Sequence, residues 1–325
     1  RKLTDVCIAA AGRVLQTVTT HVDYELPEET VIEPEHVYTL DMLGVEQAYD
    51  EFQKINESNI KFYCVGYTVV RYYLNRYPIG SLENHKAKEI SVDLIATFLP
   101  DEVVDGLYRA VEFAGLQVVN LTLEPIAAIQ VAIPIMYRML NIALVDVGAG
   151  TSDISITQDG SIVAYGMIPR AGDKITEEIS KQCLVDFAQG EKIKIASGKK
   201  TVIPYKDIMG IAQKINPAEV LKITNTVVRS MAKEVADKIK ELNGGTSVSA
   251  VFVVGGGGKI KGYTDMLAEE LGIKSDRVAL RGEEVLKDVD FQIERPRRDS
   301  MYVTPIGICL NFYDRKNNFI FVNFN

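Results

Sequence analysis

NIALVDVGAGTSDISITQDGSIVAYGMIPR, residues 141–170, opens on an apolar run at 142–145 that suits a strand buried on both faces. Asp146-Val147-Gly148-Ala149-Gly150-Thr151 follows. Side chains at 148–150 are so small that backbone N–H groups can approach a phosphate closely. Asp146 stands at the strand end, where a carboxylate can hold a hydrated Mg²⁺ beside that phosphate. From Asp153 the residues alternate, Ile154 and Ile156 against Ser155 and Thr157. Asp159-Gly160 then marks a two-residue hairpin turn before a second apolar strand at 162–168. A dinucleotide-binding turn needs G-x-G-x-x-G opening into a helix. Here Asp153 takes the third glycine's place and a strand follows. The stretch is therefore a glycine-rich loop folded over a phosphate, or a tight glycine turn between two core strands.

Composition sets the frame. The 325 residues are 47% hydrophobic and 25% charged, as in ordinary globular proteins, and the length suits two domains or one bilobed unit. A formal net charge of -8 argues against nucleic acid as the main partner and against non-specific attraction to anionic lipid. Cys7, Cys64, Cys183 and Cys309 contain no C-x-x-C pair, and His21, His36 and His85 lack ligand spacing. Neither a zinc site nor a disulfide framework is expected. No apolar run is long enough to span a bilayer and no signal peptide pattern is present, so a cytoplasmic address is the expectation. The sequence starts at Arg1 rather than at Met, as a fragment would.

Upstream of the central stretch, residues 6–11 and 14–19 read as a hairpin or paired strands. Residues 22–38 are acidic, with two prolines, and read as a loop with an extended piece. Residues 40–52 have helical spacing, 62–70 suit a strand, and 90–96 alternate as a strand does. Pro100-Asp101 starts a helix with Val104, Leu107, Val111 and Ala114 on one face, closed by Gly115. These pieces make a small α/β unit without a chemical motif of its own. After a strand at 118–123 comes Glu124-Pro125-Ile126-Ala127-Ala128, with proline suited to a first helical position and alanines that allow close packing. Glu124 either orients a water for attack on a γ-phosphate or is an acid favoured by a helix N-terminus.

Downstream, Ala171-Gly172-Asp173 leads into a helix with Ile175, Ile179, Cys183 and Phe187 on one face. Glu191 and Lys194, three apart, either meet ribose hydroxyls or pair in solvent. Residues 196–202 are small and polar, as in a loop. Pro217 starts a long amphipathic helix that Asn243-Gly244-Gly245 ends. An apolar strand at 250–254 runs into Gly255-Gly256-Gly257-Gly258-Lys259. This is no P-loop, because G-x-x-x-x-G-K-[ST] has a glycine where Val253 stands and a hydroxyl where Ile260 stands. The run lets a planar ring lie against the backbone, or is a flexible turn. Thr304-Pro305-Ile306-Gly307-Ile308 looks like a helix start with a small residue at a close crossing, and 319–324 is strand-like.

The order of these pieces resembles the actin-like ATPase superfamily, and within it the FtsA group. LVDVGAGTSD at 144–153 is similar to the second phosphate loop, and EPIAA at 124–128 to the first connecting helix. VVGGGGKIKG at 253–262 is similar to the adenosine loop, and TPIGI at 304–308 to the second connecting helix. YPIGSLENHKAKEISVDLIATFLP at 77–100 and AGLQVVNLTLEPIAA at 114–128 resemble the FtsA subdomain that replaces actin's usual one.

The resemblance implies an α/β actin-like ATPase fold with ribonuclease H-like lobes and an FtsA-type small inserted subdomain. Its parts would be the remainder of the first lobe at 1–34, the inserted subdomain at 35–118 and the first connecting helix at 119–140. The second lobe with both loops would span 141–303, and the second connecting helix and terminal strand 304–325. Asp146 would bind Mg²⁺ through water, and Glu124 would position the attacking water. Gly148, Ala149, Gly150 and Thr151 would hold the phosphates of ATP or ADP, with Gly172 beside them. Glu191 and Lys194 would touch ribose and adenine, over a floor of Gly255, Gly256, Gly257 and Gly258 with Lys259 at its end. The implied function is an ATP-binding scaffold of cell division or envelope assembly, at most a slow ATPase, in the cytoplasm at the inner face of the membrane. Its contacts with itself, in filaments or dimers, and with other division proteins would depend on nucleotide. It would reach the membrane only through a partner or parts outside this chain. The alternatives are an assembly or chaperone-type ATPase like PilM and EutJ, and a small-molecule kinase on the same fold. The family's first phosphate loop, an Asp-x-Gly hairpin at the extreme N-terminus, is not found in this sequence. Nor is FtsA's C-terminal membrane-binding helix.

Overall fold

A computed structural model describes residues 3–10, 15–56, 60–199, 201–290 and 298–313. The strand-like tail at 319–324 lies outside the described residues. Strand β7 (Ile142–Val147) runs in the middle of a five-stranded sheet. Its order is β13 (Val278–Leu280), β12 (Ala250–Val254), β7, β8 (Ser152–Gln158), β9 (Ser161–Ile168). The first three are parallel, and β8 and β9 are antiparallel additions. Asp159 at φ 53° and Gly160 at φ 89° make the turn between them, as a two-residue hairpin requires.

The apolar run of β7 is continuous because both faces of the sheet are covered. Ala143, Val145 and Val147 face one core, against α4 (Gly172–Cys183), α6 (Pro217–Leu242) and α7 (Tyr263–Leu271). Ile142 and Leu144 face a second core, against α3 (Glu124–Ala132) and α8 (Val303–Tyr313). The start of α6 is fixed by a reciprocal cap: the Asn216 side chain accepts the Glu219 N–H while the Glu219 side chain accepts the Asn216 N–H.

The expected helix through Phe187 is two helices. Leu184 at φ 51° ends α4, and α5 (Phe187–Ser197) starts anew where the Asp186 side chain accepts the Gln189 N–H. A short hairpin not foreseen in the sequence, β10 (Ile203–Lys206) and β11 (Ala212–Ile215), follows.

A four-stranded antiparallel sheet forms the small unit, in the order β2 (Gln16–Val31), β5 (Lys86–Pro100), β3 (Phe62–Leu74), β4 (Tyr77–Ile79). Helix α1 (Pro34–Ile55) covers one face, with Leu40, Val45 and Phe52 packed among Val22, Val92 and Phe98. Within residues 22–38 the expected extended piece is strand β2 as far as Val31, and from Pro34 the stretch is helix α1 rather than loop. Strand β2 continues to Val31 because Val22 and Leu26 point inward while His21, Asp23 and Glu25 point to solvent, and the acids conceal the alternation. Residues 16–31 share the small unit's sheet, ahead of the expected boundary at 35. Among the described residues, 16–19 pair with β5 and not with the preceding strand. β1 (Asp5–Ala10) lies parallel to β6 (Gln117–Leu123), and α2 (Asp101–Phe113) precedes β6.

Under the small sheet, α1 carries a carboxylate in the apolar layer. Asp41 is 4% exposed and accepts hydrogen bonds from the hydroxyls of Tyr67 (3.2 Å) and Tyr72 (3.1 Å). Burial pushes its pKa up to about 6, although both hydroxyls pull the other way.

Candidate functional site

Strands β7 and β12 are parallel neighbours, with Val254 in register with Asp146, so both glycine segments leave the same edge of the sheet. Ligands of open α/β sheets collect at such carboxyl ends. The first segment is a tight turn in which the Gly148 N–H donates to the Thr151 carbonyl at 2.9 Å. The start of α4 is tied to it, with the Gly172 N–H on the Gly148 carbonyl (3.1 Å) and the Asp173 N–H on the Ala149 carbonyl (2.8 Å).

The second segment lies directly on the first. Gly255 has φ 84°, and a Cβ there would stand 2.4 Å from Asp146 Oδ1 and 2.4 Å from the Val147 carbonyl oxygen. A Cβ on Gly257 would stand 2.8 Å from the Gly148 carbonyl oxygen. Ser300 fixes the loop from behind: its Oγ donates to the Gly255 carbonyl (2.9 Å) and its carbonyl accepts the Gly255 N–H (3.2 Å). The run is therefore a packed crossing rather than a flexible turn. The side of Gly256 is open, with nothing within 4 Å of a Cβ placed there, whereas Gly258 is buried on Val253 and Leu280. Lys259 is turned to the Asp299 carboxylate.

Three carboxylates converge beside these loops. Asp146 accepts the hydroxyl of Thr304, from the first turn of α8, at 2.5 Å. Burial raises its pKa and the Thr304 hydrogen bond opposes the rise. Glu124, at the start of α3, is pushed up to about 7, first by burial, then by the charge of Asp153, then by that of Asp146. Asp153, on β8, is buried and accepts the Thr151 hydroxyl at 3.2 Å. The sequence marked Asp153 only as the residue replacing a glycine. Its place between inward-facing positions of β8 was the available signal. Among the described residues no three side chains form a metal-binding group. A divalent ion here would keep waters in its shell, as Mg²⁺ does.

Glu191 and Lys194 are not a solvent pair. The Lys194 ammonium donates to the Gly172 carbonyl (3.0 Å) and the Thr176 hydroxyl (2.8 Å), and meets Glu191 at 2.6 Å. The chain of contacts Glu191–Lys194–Gly172–Gly148 thus joins α5 to the first glycine turn. Burial works to raise the pKa of Glu191, and its hydrogen bonds from Lys194 and Thr176 outweigh that and hold it low.

The acid cluster has a measurable signature. Glu124 binds its proton more tightly folded than unfolded, so its stabilising protonation is present below its ordinary value of 4.5 and lost as pH rises through about 7. Glu124→Gln should therefore flatten the decline of melting temperature between pH 5 and pH 8 (both on the order of the pKa values that bracket the shift). Parallel wild-type and variant profiles would show that folding does not raise the pKa of Glu124.

The comparisons with known proteins agree with this architecture. The family model described as "Cell division protein FtsA" matches residues 143–307, just over half of the chain. Cell division protein FtsA of Bacillus subtilis (strain 168) is 26% identical over 186 residues, which cover 54% of this chain and 42% of that protein. The chain therefore spans less than half the length of this curated relative. Among solved structures, a chain of the PilM-PilN type IV pilus biogenesis complex superposes with a TM-score of 0.67 at 15% identity, over 96% of this chain and 80% of that one. MreB5 of Spiroplasma citri bound to ADP gives a TM-score of 0.51 at 18% identity, over 67% of this chain and 68% of that one. Both show the fold, which is the actin-like ATPase fold.

Proposed function

The chain belongs to the FtsA family, and from that premise we propose that it is a nucleotide-binding scaffold of bacterial cell division or envelope assembly. The observation that carries the reading is the crossing of the two glycine segments at the carboxyl ends of β7 and β12, with Asp146 between them. The residues present fit a Mg²⁺-nucleotide: small loop residues, an open side at Gly256, and the Asp146 carboxylate at the crossing of the two loops.

In this reading the backbone of 148–151 faces the phosphates and Asp146 orients waters of the ion. The Gly255–Gly257 backbone underlies the nucleoside, and Glu191, pinned by Lys194, accepts from the ribose. Glu124 holds a water on the phosphate side and, with a pKa near 7, takes or returns its proton. When bound, a nucleotide would supply the phosphate charge that the N–H groups of the packed loops face. Thr304 links Asp146 to α8, so cleft occupancy is transmitted to the helix that crosses α3. Contacts with further copies and with other assembly proteins would respond to that change, at the inner face of the membrane. Among the described residues no helix is long and apolar enough to cross a membrane.

Calorimetric titration of the intact protein with Mg-ATP and Mg-ADP tests the reading. Binding that Asp146→Ala abolishes is the expected result. Absence of heat with both nucleotides would reduce the glycine crossing to a structural joint.

A further inference from the structure

The hairpin β10–β11 carries a tip at 207–211 that the nucleotide reading does not use. The tip is built rather than loose. The Asp207 carboxylate accepts the N–H groups of Met209 (3.0 Å) and Ile211 (3.0 Å), and Gly210 turns the chain at φ 78°. The Ile208 N–H donates to the Leu184 carbonyl at 2.8 Å, fastening the tip to the junction of α4 and α5. This frame holds large apolar side chains outward: Ile208 is 71% exposed, Met209 75%, Ile211 56% and Leu184 54%. Phe187, which opens α5, is 47% exposed. A rigid turn that presents a cluster of aliphatic side chains to water marks a contact surface.

The charges around it select the partner. Lys206 and Lys214 flank the tip on its two strands, and Lys181 lies on the last turn of α4; all three are exposed. Among the described residues none of them is in an ion pair. Of the acids next to the tip in sequence, Asp207 accepts the tip's own N–H groups and Asp186 accepts the Gln189 N–H. A convex apolar tip with a lysine collar matches a bilayer surface, where apolar side chains enter the acyl boundary and lysines stay at anionic headgroups.

We propose that this tip, with Leu184 and Phe187, inserts shallowly into an anionic membrane surface. The contact lies within the chain, whereas the sequence placed any membrane contact outside it. It is independent of the nucleotide site. The overall charge of -8 opposes approach to an anionic bilayer, so the apolar insertion and the local lysines must act together.

These 325 residues contain no tryptophan, so Met209→Trp in this chain is a reporter confined to the tip. With vesicles of phosphatidylglycerol and phosphatidylcholine its emission should shift to the blue and be quenched by brominated acyl chains. Pure phosphatidylcholine should give a much smaller change. Ile208→Asp combined with Ile211→Asp, and separately Lys206→Glu combined with Lys214→Glu, should each weaken vesicle partition by about tenfold or more. Melting temperature should not move, because these side chains are exposed. Three results would overturn the proposal: an unshifted tryptophan, vesicle partition indifferent to both double variants, or lipid-free self-association that Ile208→Asp with Ile211→Asp dissolves. The last would assign the tip to a second copy of the chain.

Discussion

Gly307→Ala should destabilise the protein more than any other single methyl addition considered, and should do so without nucleotide. A Cβ on Gly307 would stand 1.9 Å from the Ala127 carbonyl oxygen and 2.5 Å from the Ala127 carbonyl carbon. Both are backbone atoms, so no rotamer change relieves the overlap and α3 and α8 must separate. Overpacking in a core ordinarily costs about 1–3 kcal/mol, and an overlap of two helix backbones belongs at or above the top of that range. The separation would also draw Thr304 away from Asp146, because Thr304 lies one turn before Gly307 on the same helix. Thermal melting with and without nucleotide measures both effects. Ala127→Gly should not rescue the variant, since the obstructing atoms remain; rescue would mean that side-chain packing alone sets the spacing.

Gly255→Ala should remove nucleotide binding while leaving most of the fold. The added methyl meets Asp146 Oδ1 and the Val147 carbonyl oxygen at 2.4 Å each, and φ 84° is strained for any side chain. The two loops must part, and the Asp146 carboxylate must rotate. On the proposed function, a loss of about two orders of magnitude in Kd, or about 2.8 kcal/mol, is the expected result, since the substitution would displace both the carboxylate proposed for the ion and the floor proposed for the nucleoside. Gly256→Ala, with open space at the same loop, is the control for folding only. It should melt as the wild type does, and weaker binding in it would place the ligand on that open side. Equal affinity of Gly255→Ala and wild type would remove the loop crossing from the site.

The most legible part of the fold is the part built from local rules. The β7–β8–β9 meander follows from an apolar run, strict alternation and an Asp-Gly turn, all within 30 residues of sequence. The small residue at Gly307 also signalled its close crossing. Misreadings arose where solvent-facing polarity hid a pattern, as in β2, whose acids lie on one face only. The break between α4 and α5 depends on a side-chain cap at Asp186 and a left-handed Leu184, neither of which interrupts the apolar spacing. At the site, the glycines and Asp146 stood out by their spacing. The coupling of Glu124 to Asp153 did not, because Asp153 is brought to α3 by tertiary packing and not by proximity in sequence. The domain boundaries remain a proposal, with the small unit's sheet now starting at Gln16.

The carboxyl of Asp41, set between two tyrosines under the small sheet, makes folding a protonation reaction. With its pKa raised from 3.8 to about 6, the folded chain retains most of one proton that the unfolded chain has already released in the interval between those values. Heat unfolding in that interval therefore liberates this proton to the solvent. The apparent unfolding enthalpy will then change with the ionisation heat of the buffer, being different in acetate and in histidine buffer at one pH. Above that interval both states are ionised at this position and the dependence on buffer disappears for this group, while the buried charge remains as a constant tax on the small unit's stability.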